Sequence, residues 1–278
     1  MQILTKTLAK VQQRYTQNSP DDYATINQKT MAFIVGLAAV SLPVVMLIGA
    51  LNPWWPSCYR DSISHFYYAP FLGSYFIGVL FFIGTYLLVY QGQDPGRREA
   101  KLSTGAAFCA YGVAIFPTSG HGCETWAAFE SRAISLVTKQ APDSVNLSQR
   151  VLPDGEIWGY FSLFPSAEYL HYASAALLFA FLTWFALVVF TSVDGHQRDP
   201  KTGALTPQKR RRNQIYYASA AMMVISILAL AGSFFLSDKT WWNRYNLTFV
   251  FEAIALIAFG ISWLTKGGFL SSRLADPA

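Results

Sequence analysis

Asp61 and His65 stand four residues apart, and Glu168 and His171 three apart. On a helix either spacing turns carboxylate and imidazole to one face, and Glu-x-x-His is the helical spacing of carboxylate-bridged metal sites in bundles. His121 and Glu124 repeat the three-residue spacing, although a glycine on each side of His121 argues for a loop. Neutral imidazole beside carboxylate suits one divalent ion of the zinc or iron type. The candidate metal ligands are therefore His65, His121, Glu168 and His171, with no site for an organic cofactor. Such an ion activates water, and Ser62 or Ser64 would assist as hydrogen-bonding or oxyanion-stabilising groups. With Asp61 and Glu252 these serines make up the candidate catalytic set. A plainer reading stands beside this one. A His and a Glu in a membrane helix often only bond neighbouring helices, so Glu252 paired with His171 or Arg60 would hold two spans together without any chemistry. No spacing here is as specific as His-Glu-x-x-His.

The elements that must position these groups are membrane helices. The chain has 278 residues, 53% hydrophobic, 16% aromatic and 13% charged, with a mean hydropathy of +0.27. A soluble domain carries about 25% charged residues. The net charge of +5 does not indicate nucleic acid, because the basic residues sit between apolar runs, where they act as topology signals and meet anionic headgroups. Three cysteines are too few for a disulfide scaffold or a cysteine-based zinc ribbon. The first residues, MQILTKTLAKVQQRYTQ, hold no apolar core of signal-peptide length.

Six apolar runs approach the ~20 residues that cross a bilayer. They are Met31–Leu51, Pro70–Gln91, Leu102–Thr118, Ala167–Thr191, Gln214–Leu236 and Leu247–Thr265. The third is the shortest and the richest in Gly and Ala, which predicts close packing at the centre of the bundle. Ser19-Pro20-Asp21-Asp22 marks a helix start. Residues 3–17 read either as a basic amphipathic surface helix or as a solvated arm. Fifteen of the 21 Lys and Arg fall in the N-terminal arm, the loops after spans two and four, and the tail. The positive-inside rule then puts both termini in the cytoplasm. Trp54, Trp55, Tyr59, Trp241, Trp242 and Tyr245 would form an outer aromatic belt, and Tyr90, Tyr216, Tyr217 and Trp263 an inner one. The basic run TPQKRRRN reads as a topology determinant.

The long outer loop, 119–166, is expected to cap the bundle. Trp126, Phe129, Ala133, Ile134 and Val137 recur at helical spacing, and Pro153-Asp154-Gly155 reads as a hairpin turn. Cys58 and Cys123 lie in outer loops, where a disulfide or two free thiols are equally open, and Cys109 reads as a packing residue. This topology gathers Asp61, Ser62, Ser64, His65, His121, Glu168, His171 and Glu252 at one outer level.

Three stretches carry a resemblance: SISHFYY with GVLFFIGTYLLVYQGQD, LHYASAALLF with TPQKRRRN, and FEAIALIAFGISWLTKG. Together they resemble a group of uncharacterised bacterial multipass proteins across most of the chain. The resemblance implies a bacterial inner-membrane protein in which Ser62, Ser64, His171 and Glu252 belong to one scaffold, and it implies no activity. A weaker likeness is to the alkaline ceramidase and adiponectin-receptor superfamily, seven-span hydrolases with three zinc-binding histidines, an aspartate and a serine. Their Ser-x-x-x-His is absent, since His65 follows Ser62 by three and Ser64 by one. Their His-x-x-x-His is replaced by Glu252 alone, and six spans stand for seven, so the likeness is one of chemistry only.

The expectation is an all-α polytopic membrane helix bundle with six transmembrane helices, cytoplasmic N and C termini and an outer cap loop. Its parts are an amphipathic arm (1–30), the transmembrane domain (31–266, with cap loop 119–166 and basic loop 192–213) and a tail (267–278). The expected function is a hydrolase or transferase with a polar, metal-suited pocket at the outer leaflet of the bacterial inner membrane. Its partners would be membrane lipids and an amphiphilic small-molecule substrate. The alternative is a non-catalytic membrane protein: structural, partner-binding, or a small transporter. Against transport, the inner halves of the spans carry almost no ionisable residues along which an ion could pass.

Overall fold

The computed structural model describes residues 20–52, 59–90, 98–118, 134–137, 150–151, 157–160, 164, 166–193, 197–199 and 202–268. Helix α1 covers Pro20–Leu51 and starts where Ser19-Pro20 marks a helix start. Pro43 inside it removes one ladder N–H. A short 3₁₀ helix, Ser64–Tyr68, leads into α2, Pro70–Val89, which has proline in its first turn. Helix α3 is Arg98–Ile115. Helix α4, Ala167–Trp184, continues as a π-helical turn, Phe185–Val189. Helix α5 is Pro207–Ser233, its N-terminus capped by the Thr206 hydroxyl, which accepts from the Lys209 N–H at 3.3 Å. The short α6, Thr240–Arg244, precedes α7, Leu247–Lys266.

Among the described residues five helices are long and apolar enough to cross a membrane: Lys29–Leu51 of α1, Phe71–Val89, Ala167–Val189, Pro207–Ser233 and Leu247–Lys266. By length and composition the chain is a multipass integral membrane protein. Helix α3, eighteen residues opening on Arg98, Glu99 and Lys101, is not among the five.

The helices contact one another in the order α1, α2, α3, α4, α5, α7, and α7 returns to α1, so they close a ring. Neighbours are antiparallel. Between α2 and α3, the Tyr68 hydroxyl donates to the Thr118 carbonyl at one end (2.8 Å), and the Ser103 hydroxyl donates to the Leu87 carbonyl at the other (2.6 Å). Between α3 and α4, Gly112 faces Ser174 and Gly105 faces Phe181. Helices α1 and α7 touch backbone to backbone: a Cβ on Gly36 would stand 2.6 Å from the Leu264 nitrogen and 2.7 Å from the Gly260 oxygen.

The small residues of α3 are buried as expected, Ala106, Ala107, Ala110 and Ala114 among them, but the helix is not central. It is one member of the ring, and Phe108 on its other side is 64% exposed. An aromatic cluster fills the end of the bundle that holds Trp263. Trp263 meets Phe190 at 5.1 Å, Tyr86 at 5.3 Å and Tyr90 at 5.9 Å, and Phe190 meets Tyr216 at 5.3 Å. Tyr90, Tyr216 and Trp263 are therefore core residues and not a belt; Tyr90 and Trp263 pack edge to face inside the ring of helices, Tyr216 packs tilted on Phe190, and of the four expected belt residues Tyr217 alone is exposed. Lys209 differs from its expected role too. It is 4% exposed, and its ammonium donates to the carbonyls of Phe190 (3.1 Å) and Ser192 (2.5 Å), neutralising the C-terminal end of the α4 segment.

Three short strands form an antiparallel sheet in the order β1-β3-β2: β1 Ile134–Val137, β2 Arg150–Val151 and β3 Ile157–Tyr160. Strands β2 and β3 pair with Val151 opposite Ile157, while the expected hairpin residues Pro153-Asp154-Gly155 lie outside the described residues. The expected surface helix fails at Ile134–Val137, where the backbone pairs with β3. Two β-branched residues in a four-residue stretch suit a strand, and tertiary pairing overrides an apolar spacing of three and four. Trp126, Phe129, Ala133 and the 1–19 arm lie outside the described residues.

Candidate functional site

The segment between α1 and α2 folds over the start of α7. The Phe249 N–H donates to the Asp61 carbonyl at 2.8 Å. One and a half turns into α7, the Glu252 carboxylate accepts from the Ser62 hydroxyl (2.9 and 3.0 Å) and from the Ile63 N–H (2.6 Å). The Ser62 oxygen also accepts from the Ser64 N–H at 3.1 Å. Glu252 thus holds from another element the residues that lead into the 3₁₀ helix, whose own first N–H groups find local partners: His65 donates to the Ser62 carbonyl at 3.2 Å and Phe66 to the Ile63 carbonyl at 3.1 Å. Ser62 is buried, and both its donor and an acceptor position are in use.

Asp61 and His65 make the contact their spacing predicts. The imidazole Nδ1 lies 2.6 Å from the Asp61 carboxylate, with the His65 side chain 12% and the Asp61 side chain 32% exposed. His171, 1% exposed in the second turn of α4, has its Nδ1 2.7 Å from the Phe116 carbonyl. A carboxylate and a carbonyl only accept, so each Nδ1 carries the hydrogen and each Nε2 of a neutral ring carries a lone pair. The His171 Nε2 is buried and has no hydrogen-bond partner among the described residues. A relay of hydroxyls ties the elements of the two histidines: Tyr68 donates to the Thr118 carbonyl at 2.8 Å, and the Thr118 hydroxyl donates to Tyr172 at 3.0 Å.

Tyr59 borders the cluster and packs on Phe249 at 5.3 Å. Burial raises its pKa above the usual 10.0, and the charges of Asp61 and Glu252 raise it further. Arg60 is fully buried beside it.

Asp61, Ser62, Ser64, His65, His171 and Glu252 thus come together at one end of the ring. Glu168 lies in the first turn of α4, partly buried, with no hydrogen bond or ion pair among the described residues; the partner of His171 is the Phe116 carbonyl and not Glu168. His121, Cys58 and Cys123 lie outside the described residues. Among the described residues no three metal-ligating side chains gather. Sequence reasoning passed over Tyr68, Thr118 and Tyr172, whose hydroxyls carry no signal until the helices are in register. Tyr68, three residues after His65 in SISHFYY, and Tyr172, directly after His171 in LHYAS, were the hint. Comparison with family models, with curated proteins and with solved structures finds no match for the chain.

Proposed function

We propose that the chain is a six-span inner-membrane hydrolase or transferase, both termini cytoplasmic, acting at the outer leaflet on a lipid-like substrate. The observation that carries this reading is the Asp61–His65 pair at 2.6 Å, partly exposed at one end of the ring of helices. The pair is neither fully buried nor fully hydrated. It sits at the edge, where a headgroup can reach it. Asp61 holds the imidazole in the tautomer whose Nε2 accepts a proton. Nε2 takes that proton from water or an alcohol as its oxygen attacks an acyl carbon, and the proton passes to the leaving alcohol or amine as its bond to that carbon breaks. Ser62 and Glu252 serve this site as the clasp that fixes the Asp61–His65 segment on α7. The full-height register of α3 supports the sixth crossing, and the distribution of Lys and Arg supports the orientation.

The test is turnover of a panel of lipid esters and amides by the protein in detergent. His65→Ala and Asp61→Asn should lower kcat/KM by roughly 10²–10⁴-fold with folding intact. Absence of turnover on every substrate, or equal turnover by both variants, would favour the second reading: a non-catalytic bundle in which the Ser62–Glu252 clasp is the purpose of the polar cluster.

A further inference from the structure

We infer that the wall of the bundle opens between α4 and α5, and that a membrane phospholipid binds there, one acyl chain between the helices and its phosphate on Lys239. The inference rests on the reading above and deepens it by naming the substrate as a phospholipid.

The opening follows from how the two helices meet. Of the neighbours in the ring, α4 and α5 touch the most sparsely, and much of what else joins them falls on the π-helical turn that follows α4. Two aromatic pairs bridge them: Phe190 and Tyr216 at 5.3 Å near Trp263, and Tyr172 and Phe234 at 6.1 Å at the other end. Between the two pairs the facing strips change from closed to open. On α4, going from Phe190 toward Tyr172, Ala186 and Thr183 are buried, Phe179 is half-buried and Ala176 is exposed. On α5, going from Tyr216 toward Phe234, Ala220 is buried, Val224 is 38% exposed and Ala231 is exposed. These positions recur every three or four residues, or seven where one is passed over, so each set lies on one face of its helix. The flank of α5 that carries Ser219, Ser226 and Ser233 is buried along its whole length. The opening therefore belongs to this seam and not to α5 as a whole.

The lining and the rim decide the occupant. Both helices are long and apolar enough to cross the membrane, so the opening faces hydrocarbon. Ala176, Phe179, Val224 and Ala231 present no polar side chain, and an acyl chain is what such walls accept. Lys239 stands at the rim, its ammonium 5.5 Å from the centre of the Phe234 ring and without a hydrogen bond or ion pair among the described residues. The carboxylate next to it, Asp238, is engaged by the Thr240 N–H at 2.8 Å. A lysine beside an aromatic ring at the end of a span extends to the level of the lipid headgroups. A phosphate there meets a cation that the protein leaves uncompensated. The same rim leads to the proposed site. The Tyr172 hydroxyl accepts from Thr118 at 3.0 Å, and the Thr118 carbonyl accepts from Tyr68, three residues past His65, at 2.8 Å. A lipid seated against Tyr172 and Phe234 thus holds its ester groups at the end of the bundle where Asp61 and His65 lie.

The experiment is native mass spectrometry of the detergent-purified full chain, titrated with dioleoyl phosphatidylglycerol and separately with dioleoylglycerol, which lacks the phosphate. The parent should hold one phosphatidylglycerol per chain. Ala176→Phe and Ala231→Phe fill the opening from either wall at exposed positions, and each should weaken both lipids roughly tenfold. Lys239→Gln should weaken phosphatidylglycerol about fivefold and leave dioleoylglycerol unchanged. Ala218→Phe, exposed on α5 about 140° around the helix from Ala231, should bind like the parent. Undiminished phosphatidylglycerol on Ala176→Phe and Ala231→Phe, or no discrete bound lipid on the parent, would overturn the inference. So would an altered oligomeric state of Ala231→Phe with unaltered lipid binding, which would give the opening to a second copy of the chain. Should one of these two variants fail to fold, the other decides. Lipid binding without turnover of any ester or amide would keep the opening and sink the hydrolase reading. Turnover that depends on His65 but is untouched by filling the opening would do the reverse.

Discussion

Glu252 separates two roles that a polar residue in a membrane helix can have. Its carboxylate receives the Ser62 hydroxyl and the Ile63 N–H, and both donors belong to buried residues. Glu252→Ala leaves these donors without an acceptor, which costs about 3 kcal/mol in all. The expected outcome is a large loss of stability in detergent unfolding, with Glu252→Gln in between because its amide oxygen still accepts. A Glu252→Ala variant as stable as the parent would remove the clasp from the account. Tyr59 gives a second residue-scale prediction. Its folded pKa lies above 10.0, so the folded state holds its proton longer than the unfolded state. That contribution is whole below pH ~10 and is lost as the pH rises above it. Thermal midpoints measured from pH 8 upward should fall faster for the parent than for Tyr59→Phe. Equal slopes would mean that burial, with the charges of Asp61 and Glu252, does not hold the proton on the Tyr59 hydroxyl. At this scale the sequence was half legible. Asp61 and His65 are four apart, so local geometry alone could pair them. Ser62 and Glu252 are 190 positions apart, and nothing local distinguishes Ser62 from Ser64 as the partner of α7.

At the scale of elements, the helices themselves were legible because each apolar run is long and charge-free, and Ser19-Pro20 marks a helix start in chemistry that does not depend on tertiary context. Thr206-Pro207 is a start of the same kind that was passed over: α5 begins at Pro207, inside the expected basic loop 192–213 and ahead of the expected Gln214. The neighbours of each helix were not legible. Trp263 and Tyr90 look like interfacial aromatics in sequence, yet each sits in the core, and that outcome depends on which face each helix turns inward. The contact of α1 with α7 is similar: Gly36 and Gly260 reveal their role only when set against each other. Gly260→Ala would put a methyl 2.5 Å from Val40 Cγ2 and 2.7 Å from the Gly36 oxygen. Backbone cannot yield as a side-chain tip can, so this overpacking should cost about 1–3 kcal/mol. Gly78→Ala is the control. No atom lies within 4 Å of its added methyl, and alanine is the better helix former, so it should leave stability unchanged or slightly raised. Comparing the two by detergent unfolding tests the packing without touching the polar site, and a destabilised Gly78→Ala beside an unaffected Gly260→Ala would refute it.

At the scale of the molecule, the question is whether α3 crosses the membrane with the other five. Its charged first turn and small residues weaken it as an apolar span, so composition alone leaves it aside. The ring of helices is more informative. Helices α2 and α4 both run from the His171 end to the Trp263 end, where Tyr90 and Phe185 meet Trp263 at 5.9 and 6.4 Å. The chain must return between them, and α3 does so in register from Ser103 beside Leu87 to Phe116 beside His171. If α3 crosses, Glu99 and Thr202 are on the same side of the membrane and Asp238 on the other. If α3 only lies against the bundle, α4 starts on the side where α2 ended, and Thr202 changes sides relative to Glu99. Single cysteines at these three positions, in a chain with Cys58, Cys109 and Cys123 replaced by serine, decide between the two. An impermeant thiol reagent added to intact cells should label Asp238→Cys. It should spare Glu99→Cys and Thr202→Cys until the cells are opened. Labelling of Thr202→Cys and not Glu99→Cys in intact cells would reduce the spans to five. It would also put His171 and the Asp61–His65 pair at different membrane faces, which their shared contacts through Thr118 do not allow. The same labelling therefore tests whether the bundle can bring both histidines to one outer-leaflet site.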